Sequence, residues 1–202
     1  MIALRPLAQL ARAPRRVATD PTCELCTAPI GERHRHVAEV GTRGILCACG
    51  ACAILFARSE RGARFRTVPD RVRVDRHVAL RSEQLGIPVS VAFCYRDSAH
   101  DRLVACYPGP AGTVDAELHA DAWQVLAAAT PLAAELEPDV EALLVHAQRG
   151  GPRIACYLVP ITAAFELTGR LRKSWRGFSG GAEADRELAA FFAQLDARGG
   201  SA

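Results

Sequence analysis

A chain of 202 residues with a formal net charge of +3 is long enough for one domain with a substantial core, or for a small domain joined to a larger one. Half of its residues are hydrophobic and 23% are charged, which is typical of a globular protein and excludes a mainly disordered chain. No apolar run approaches the length of a membrane-spanning helix, so we expect no membrane insertion.

The first 19 residues predict a loosely ordered basic tail. Arg15 and Arg16 lie in it, but no apolar stretch follows them, which argues against an export signal. We therefore expect a cytoplasmic protein whose thiols stay reduced. Eight cysteines in a reducing compartment indicate metal binding before disulfides.

Two C-x-x-C pairs stand out among the cysteines. Cys23 and Cys26 form the first pair, in "CELC", and Cys49 and Cys52 form the second, in "CGAC". A tight turn between two cysteines aims both sulfurs at one ion, and two such turns complete a tetrahedron. We predict that these four cysteines bind one metal ion, because unrelated buried thiols would not explain two identical spacings.

Three further side chains in this region are candidate ligands, additional or alternative. Cys47 lies two residues before Cys49 and is an alternative ligand to it, because cysteines in C-x-C spacing also bind metals. His34 and His36 alternate on a predicted strand, so both point to the same side. An exposed polar face on a small hairpin is the competing interpretation of the two histidines.

Residues 20–60 are predicted to form a small zinc module with a treble-clef-like layout. A cysteine turn is followed by a strand ending near Val40, a turn at residues 41–44, and a returning strand at residues 45–47. The stretch "GACAILFARSE" has helical spacing, which puts the second cysteine pair at a helix start. So small a module depends on its metal for much of its folding energy.

Zinc is the predicted metal, with iron as the alternative. Four thiolates also bind iron in rubredoxin, which transfers electrons. Rubredoxin-like sites usually carry Gly or Pro around both turns, whereas neither residue flanks the first pair here. An HNH nuclease is not supported, because the stretch "AILFARSE" lacks the His or Asn that would bind a catalytic metal.

Residues 61–85 are predicted to be an arginine-rich connector. One interpretation is a surface that binds nucleic acid, and the other is a solvated edge between two modules. Phe65 is the only aromatic residue among the basic ones, which argues against base stacking. The connector and the residues just before it contain Arg58, Arg61, Arg64, Arg66, Arg71, Arg73, Arg76 and Arg81.

Residues 86–202 are predicted to form an α+β domain. The stretches "VSVAFCYR" and "RLVACY", then "DVEALLVHA" and "RIACYLV", read as two strand hairpins, each followed by an amphipathic helix. A final helix follows, giving the order ββα–ββα–α. We expect an antiparallel sheet with helices on one side.

The loop "WRGFSGG" is a candidate contact for an anion or a partner. Arg176, Ser179 and Gly180 lie just before the last predicted helix, whose N-terminus would favour negative charge. Ordinary capping by Ser179 is the simpler interpretation. The chain has no P-loop, G-x-S-x-G or H-E-x-x-H motif, so an enzyme acting through His34, His36 or Cys47 lacks support.

The combined motifs resemble a bacterial family of unknown function. They are "CELC…HRH…CACGACAILF", "AFCYRDSAHDRLVACYPGPAG", "EPDVEALLV", "YLVPITAAFEL" and "WRGFSGG". Members of that family are encoded beside nickel–iron hydrogenases, particularly the high-affinity uptake type. The resemblance implies a non-enzymatic accessory role, with a hydrogenase subunit or a maturation factor as partner.

Overall fold

The computed structural model describes residues 21–57, 63–78, 80, 91–147, 154–177 and 180–201. The predicted basic tail, residues 1–19, lies outside them, as does Ser179. Within the described residues the fold is α+β, with antiparallel strand pairs and helices, which confirms the predicted class.

The N-terminal module, residues 21–57 and 63–67, is a three-stranded sheet with one short helix. The hairpin of β1 (Arg35–Glu39) and β2 (Gly44–Ala48) leads into α1 (Gly50–Leu55), as the sequence predicted. A third strand, β3 (Phe65–Thr67), pairs with the other edge of β1, so that the strand order is β2-β1-β3. All these pairings are antiparallel.

A second sheet of seven strands forms the centre of the protein, in the order β10-β4-β9-β8-β5-β6-β7. Its strands are antiparallel to their neighbours, except that β10 and β4 are parallel. The strands are β4 (Arg73–Val78), β5 (Val91–Asp97), β6 (Arg102–Gly109), β7 (Gly112–Glu117), β8 (Glu141–Ala147), β9 (Ile154–Pro160) and β10 (Gly200–Ser201).

Among the described residues, four helices accompany this sheet, and they cover both of its faces. Helices α4 (Ile161–Ser174) and α5 (Gly181–Arg198) pack on one face, around Phe93, Leu144 and Tyr157. Helices α2 (Ala120–Ala129) and α3 (Leu132–Glu135) pack on the other face. The predicted placement of all helices on one side is therefore corrected.

The central strands explain why both faces must be covered. Every residue of β9 is buried, and so are the first five residues of β8. A strand with one solvated face alternates between apolar and polar residues, whereas "EALLV" and "IACYLVP" are almost continuously apolar. The signal was present in the sequence, but α3 has only four residues and offers no helical periodicity to detect.

The predicted connector contributes a strand to each sheet. Residues of β3 join the N-terminal module, and β4 joins the seven-stranded sheet next to β9. The two sheets also share one hydrophobic core, because Ala38 of β1 is buried against it and Ile45 of β2 packs on it. The module is thus anchored to the rest of the chain along its hairpin.

The chain just after α5 packs so closely against β4 that position 199 has no room for a side chain. Gly199 follows the helix, and a Cβ atom built on it would lie 2.3 Å from Cγ2 of Val74 and 3.1 Å from the carbonyl oxygen of Leu195. Gly200, the next residue, has no atom within 4 Å of such a Cβ.

Gly199→Ala is expected to lower the free energy of unfolding by about 1–3 kcal/mol, because the new methyl group forces a shift in a packed core. The matched control Gly200→Ala should change it by less than about 0.5 kcal/mol. Urea unfolding of both variants measures the difference. Equal stabilities would show that the close approach of Val74 does not constrain the fold.

Candidate metal centre

The four cysteines of the two C-x-x-C pairs come together at one end of the N-terminal module. Their sulfur atoms all lie within 4.8 Å of one another, and the Sγ atoms of Cys26 and Cys49 are 3.7 Å apart. Cys23 and Cys52 are buried, Cys49 is half-buried and Cys26 is exposed. The pairs, 22 residues apart in sequence, thus form one group.

A metal ion fits this group of donors. In a tetrahedral site with metal–sulfur bonds of about 2.3 Å, neighbouring sulfurs are about 3.8 Å apart. The 3.7 Å separation between Cys26 and Cys49 already has that length. Four thiols without a cation gain little from such an approach, because the S–H group is a weak donor.

Two tight turns present the sulfurs. In the first, the backbone N–H of Thr27 donates to the carbonyl oxygen of Cys23 at 2.8 Å, and the N–H of Cys23 donates to that of Ala28 at 2.8 Å. Thr27 closes this turn with a left-handed φ of 62°. In the second, Cys49 is the N-cap of α1, and its Sγ accepts from the backbone N–H of Cys52 at 3.4 Å.

The four thiols influence one another's charge. Hydrogen bonding to the backbone of Cys49, and to other backbone groups, lowers the pKa of Cys23 to about 6. The neighbouring sulfur of Cys26, together with burial, raises the pKa of Cys52 to about 12. One thiolate therefore forms readily, and the next is opposed by the negative charge beside it. A bound cation reverses that opposition.

The core around this group is small. Among the described residues, its fully buried members are Cys23, Val37, Ala48 and Cys52, so two of these four are themselves cysteines of the group. Partly buried residues, such as Leu25 and Ile30, pack against them. The Phe56 and Phe65 rings pack at one side with centroids 5.4 Å apart. This amount of apolar contact is little for a folded unit, which needs another source of stability.

Cys47, His34 and His36 form a separate group. One ligand atom from each lies within 4.8 Å of the others, in a cluster distinct from that of the four cysteines. Cys47 and His36 are direct partners in the β1–β2 register. Among the described residues, the structure therefore brings Cys49, and not Cys47, next to Cys23, Cys26 and Cys52.

Glu24 connects the two groups and was missed by the sequence reasoning. Its backbone N–H donates to the carbonyl oxygen of Cys47 at 2.8 Å, and its carboxylate accepts from the N–H of Cys47 at 2.5 Å. Burial and this carboxylate raise the pKa of Cys47. The signal for it in the sequence was an acidic residue inside a C-x-x-C turn.

Comparison with known families gives one match. The model of a family of unknown function, DUF5947, matches residues 22–199. The chain is a member of DUF5947. The matched range includes both cysteine pairs and nearly all of the seven-stranded sheet, so the family's domain comprises both parts together. No curated protein and no solved structure matches the chain.

In the loop before α5 of this DUF5947 chain, the side chain of Arg176 contacts neighbouring protein groups. The guanidinium of Arg176 donates to the carbonyl oxygens of Lys173 and Trp175 at 3.2 and 3.1 Å and lies 3.8 Å from the carboxylate of Glu183. Gly180 is the N-cap of α5 and accepts from the backbone N–H of Arg176 at 2.9 Å. An anion contact by Arg176, Ser179 and Gly180 stays a prediction.

The described part of the predicted connector has its positive charge largely paired, whereas Arg58, Arg61 and Arg81 lie outside the described residues. Each arginine from residue 63 to residue 76 has a carboxylate partner within 4.0 Å, which reduces the charge available to a phosphate backbone. Nucleic-acid binding stays a prediction. The pairs are Arg64–Glu39, Arg66–Glu137, Arg71–Glu141, Arg73–Glu135 and Arg76–Asp196.

The remaining cysteines of the DUF5947 chain lie in the seven-stranded sheet. Cys94, Cys106 and Cys156 are buried, and burial raises the pKa of Cys94 to about 12. They are packed as neutral thiols. In the described part of the chain, no helix combines the length and apolar character needed to cross a membrane.

Proposed function

We propose that this protein is a non-enzymatic accessory protein, held together by zinc, that assists the maturation or assembly of a nickel–iron hydrogenase through protein–protein contacts. The observation that carries the proposal is the group of four cysteine sulfurs inside a module with a very small core. Such a group suits a structural ion rather than a catalytic one.

The coordination chemistry supports the structural role. Four protein ligands fill a tetrahedral shell and leave no position for a water or a substrate. The buried residues that pack beside the sulfurs, Val37 and Ala48, are apolar. A cysteine turn, a hairpin and a helix that begins at the second pair support our proposal that the module is a treble-clef-like zinc finger.

The helix that the zinc would hold offers an apolar surface. Ile54 and Leu55 on α1 are each 75% exposed, the largest exposures among the large hydrophobic residues described. Adjacent exposed aliphatic residues on an ordered helix are a common feature of protein interfaces. We propose that these two side chains contact the partner, which the resemblance to hydrogenase-linked proteins suggests is a hydrogenase subunit or a maturation factor.

Affinity capture from cells that express a nickel–iron hydrogenase tests this function. We expect the tagged wild-type chain to recover a hydrogenase component, and an Ile54→Ser/Leu55→Ser variant to recover about tenfold less, the effect of losing a central apolar contact. The control Val114→Ser alters a residue that is 64% exposed on β7 and should recover as much as the wild type.

Zinc content is measured alongside capture, so that a lost contact is distinguished from a lost fold. Deletion of the gene should lower hydrogen uptake by the cells. Recovery of no hydrogenase component, together with unchanged hydrogen uptake in the deletion strain, would contradict the proposed function.

Electron transfer through iron is a second candidate, favoured by one observation. Cys26 is exposed, so one ligand of the four-sulfur group would provide a short path from the ion to a partner at the surface. Iron in this site would give the protein a visible absorption band that zinc cannot give. A colourless protein with stoichiometric zinc would exclude this candidate.

A further inference from the structure

The opposite face of the β1–β2 hairpin carries a second set of metal-ligating side chains. Val37 and Ala48 point into the small core beside the four cysteines. His36 precedes Val37 and Cys47 precedes Ala48, so the side chains of His36 and Cys47 lie on the other face of the hairpin. The two residues are direct cross-strand partners. His34 is two residues before His36, and its ring centroid is 4.8 Å from that of His36.

The His34 ring is oriented as metal-bound histidines are. Its Nδ1 lies 2.9 Å from the carbonyl oxygen of Gly31, which can only accept, so Nδ1 carries a proton, and in the neutral ring Nε2 has a free lone pair. That Nε2 is buried from solvent and has no hydrogen-bond partner. Metal-bound histidines almost always donate their other N–H to a carbonyl or carboxylate, as His34 does.

A buried, unpartnered acceptor is costly in a folded protein unless something binds it. His34, His36 and Cys47 each have one possible metal-ligand atom within 4.8 Å of those of the other two. His36 and Cys47 would therefore provide the remaining ligands for a cation. The carboxylate of Glu24, hydrogen-bonded to the backbone of Cys47, adds negative charge at the edge of the group.

We infer that His34, His36 and Cys47 form a second metal site, which binds a divalent transition-metal ion of the zinc class. Two imidazoles and one thiolate are ligands that Zn²⁺ accepts, whereas Ca²⁺ and Mg²⁺ require oxygen. Three protein ligands leave a fourth position open, unlike the closed group of four cysteines.

Two of the three candidate ligands reach a cleft between the module and the helices. His34 and His36 line this cleft of about 1200 Å³, together with Thr162 and Glu166 of α4 and Arg198 of α5. An ion held by these side chains would therefore lie beside a space with room for a water or another small molecule. The second site is thus suited to exchange a ligand, and this role goes beyond the proposed structural zinc.

Native mass spectrometry of the full chain during a Zn²⁺ titration tests the inference. We expect two ions per chain, the first bound by the four cysteines and the second held more weakly. His36→Gln and Cys47→Ser should each lower the affinity for the second ion at least about tenfold and leave the first ion bound. Loss of a group that merely supports a metal ligand already lowers affinity about tenfold or more, and loss of the ligand itself should cost at least as much.

His77→Gln is the matched control, because His77 is an exposed histidine on β4 outside the group. It should retain both ions. A variant that fails to fold would also lose the first ion. In that case His34→Gln is tested in place of that variant. A wild-type chain that binds only one ion, or variants that still bind two, would overturn the inference. A folded wild-type chain that binds no ion at the four cysteines would instead refute the proposed structural zinc.

Discussion

Cys49→Ser is expected to release the metal ion and to unfold the N-terminal module, while the seven-stranded sheet stays folded. Binding free energies of structural zinc sites, about 10–16 kcal/mol in isolated fingers, are as large as the whole stability of a typical domain. The module's own core contributes little in comparison, since two of its four buried residues are cysteines of the group, and its other support is the packing of Ala38 and Ile45 on the central core.

Cys49 is chosen because its substitution by serine tests its role as a metal ligand without removing its role as a helix cap. Cys49 is the N-cap of α1, and serine caps helices well, so the substitution keeps the cap and removes the thiolate. Zinc content and hydrogen exchange are measured. We expect strands β1 and β2 to lose protection from exchange by a large factor, whereas β8 and β9 keep theirs.

Cys47→Ser is the control for this experiment, because Cys47 lies outside the group of four sulfurs. It should keep the first zinc ion and the protected hairpin. If Cys47→Ser loses that ion and Cys49→Ser retains it, Cys47 is the ligand in place of Cys49, and the assignment of Cys49 is wrong.

Arg71→Met is expected to lower the free energy of unfolding by about 3 kcal/mol. Glu141, at the start of β8, is completely buried, and the guanidinium of Arg71 donates to both of its carboxylate oxygens, at 2.6 and 2.8 Å. The backbone N–H of Glu137 also donates to Glu141. Removal of one partner leaves a buried charge uncompensated, which costs about 3–5 kcal/mol. The lower value applies because the Arg71 side chain is 40% exposed.

Arg198→Met is the matched control, because Arg198 pairs with Asp70 at 2.8 Å where both side chains are more than half exposed. Exposed pairs contribute about 0–1 kcal/mol. Urea unfolding of zinc-loaded protein measures both variants. If the two substitutions have equal effects, the buried carboxylate of Glu141 is stabilised by something other than Arg71.

The parts of the fold that follow from local pattern were predictable. Two repeated cysteine spacings identified the four-sulfur group, and alternation of residues 34–40 identified β1. In both cases the signal lies within a few residues, because turn geometry and strand alternation are local properties.

The parts that depend on long-range pairing were not predictable. The meeting of Cys47 with His36 is fixed by the hairpin register, and a shift of one residue would have put Cys47 on the other face. Arg71 meets Glu141 from 70 positions away, because β4, which follows Arg71, lies beside β9, and β9 lies beside β8. The sequence shows the charges but not the partners.

X-ray absorption at the zinc edge, on protein that holds one equivalent of zinc, tests the central claim most directly. If the four cysteines staple the module, the ion has four sulfur neighbours at about 2.3 Å and no nitrogen or oxygen in its first shell. A first shell with nitrogen or oxygen neighbours, or a chain that binds no zinc when folded, would contradict the account.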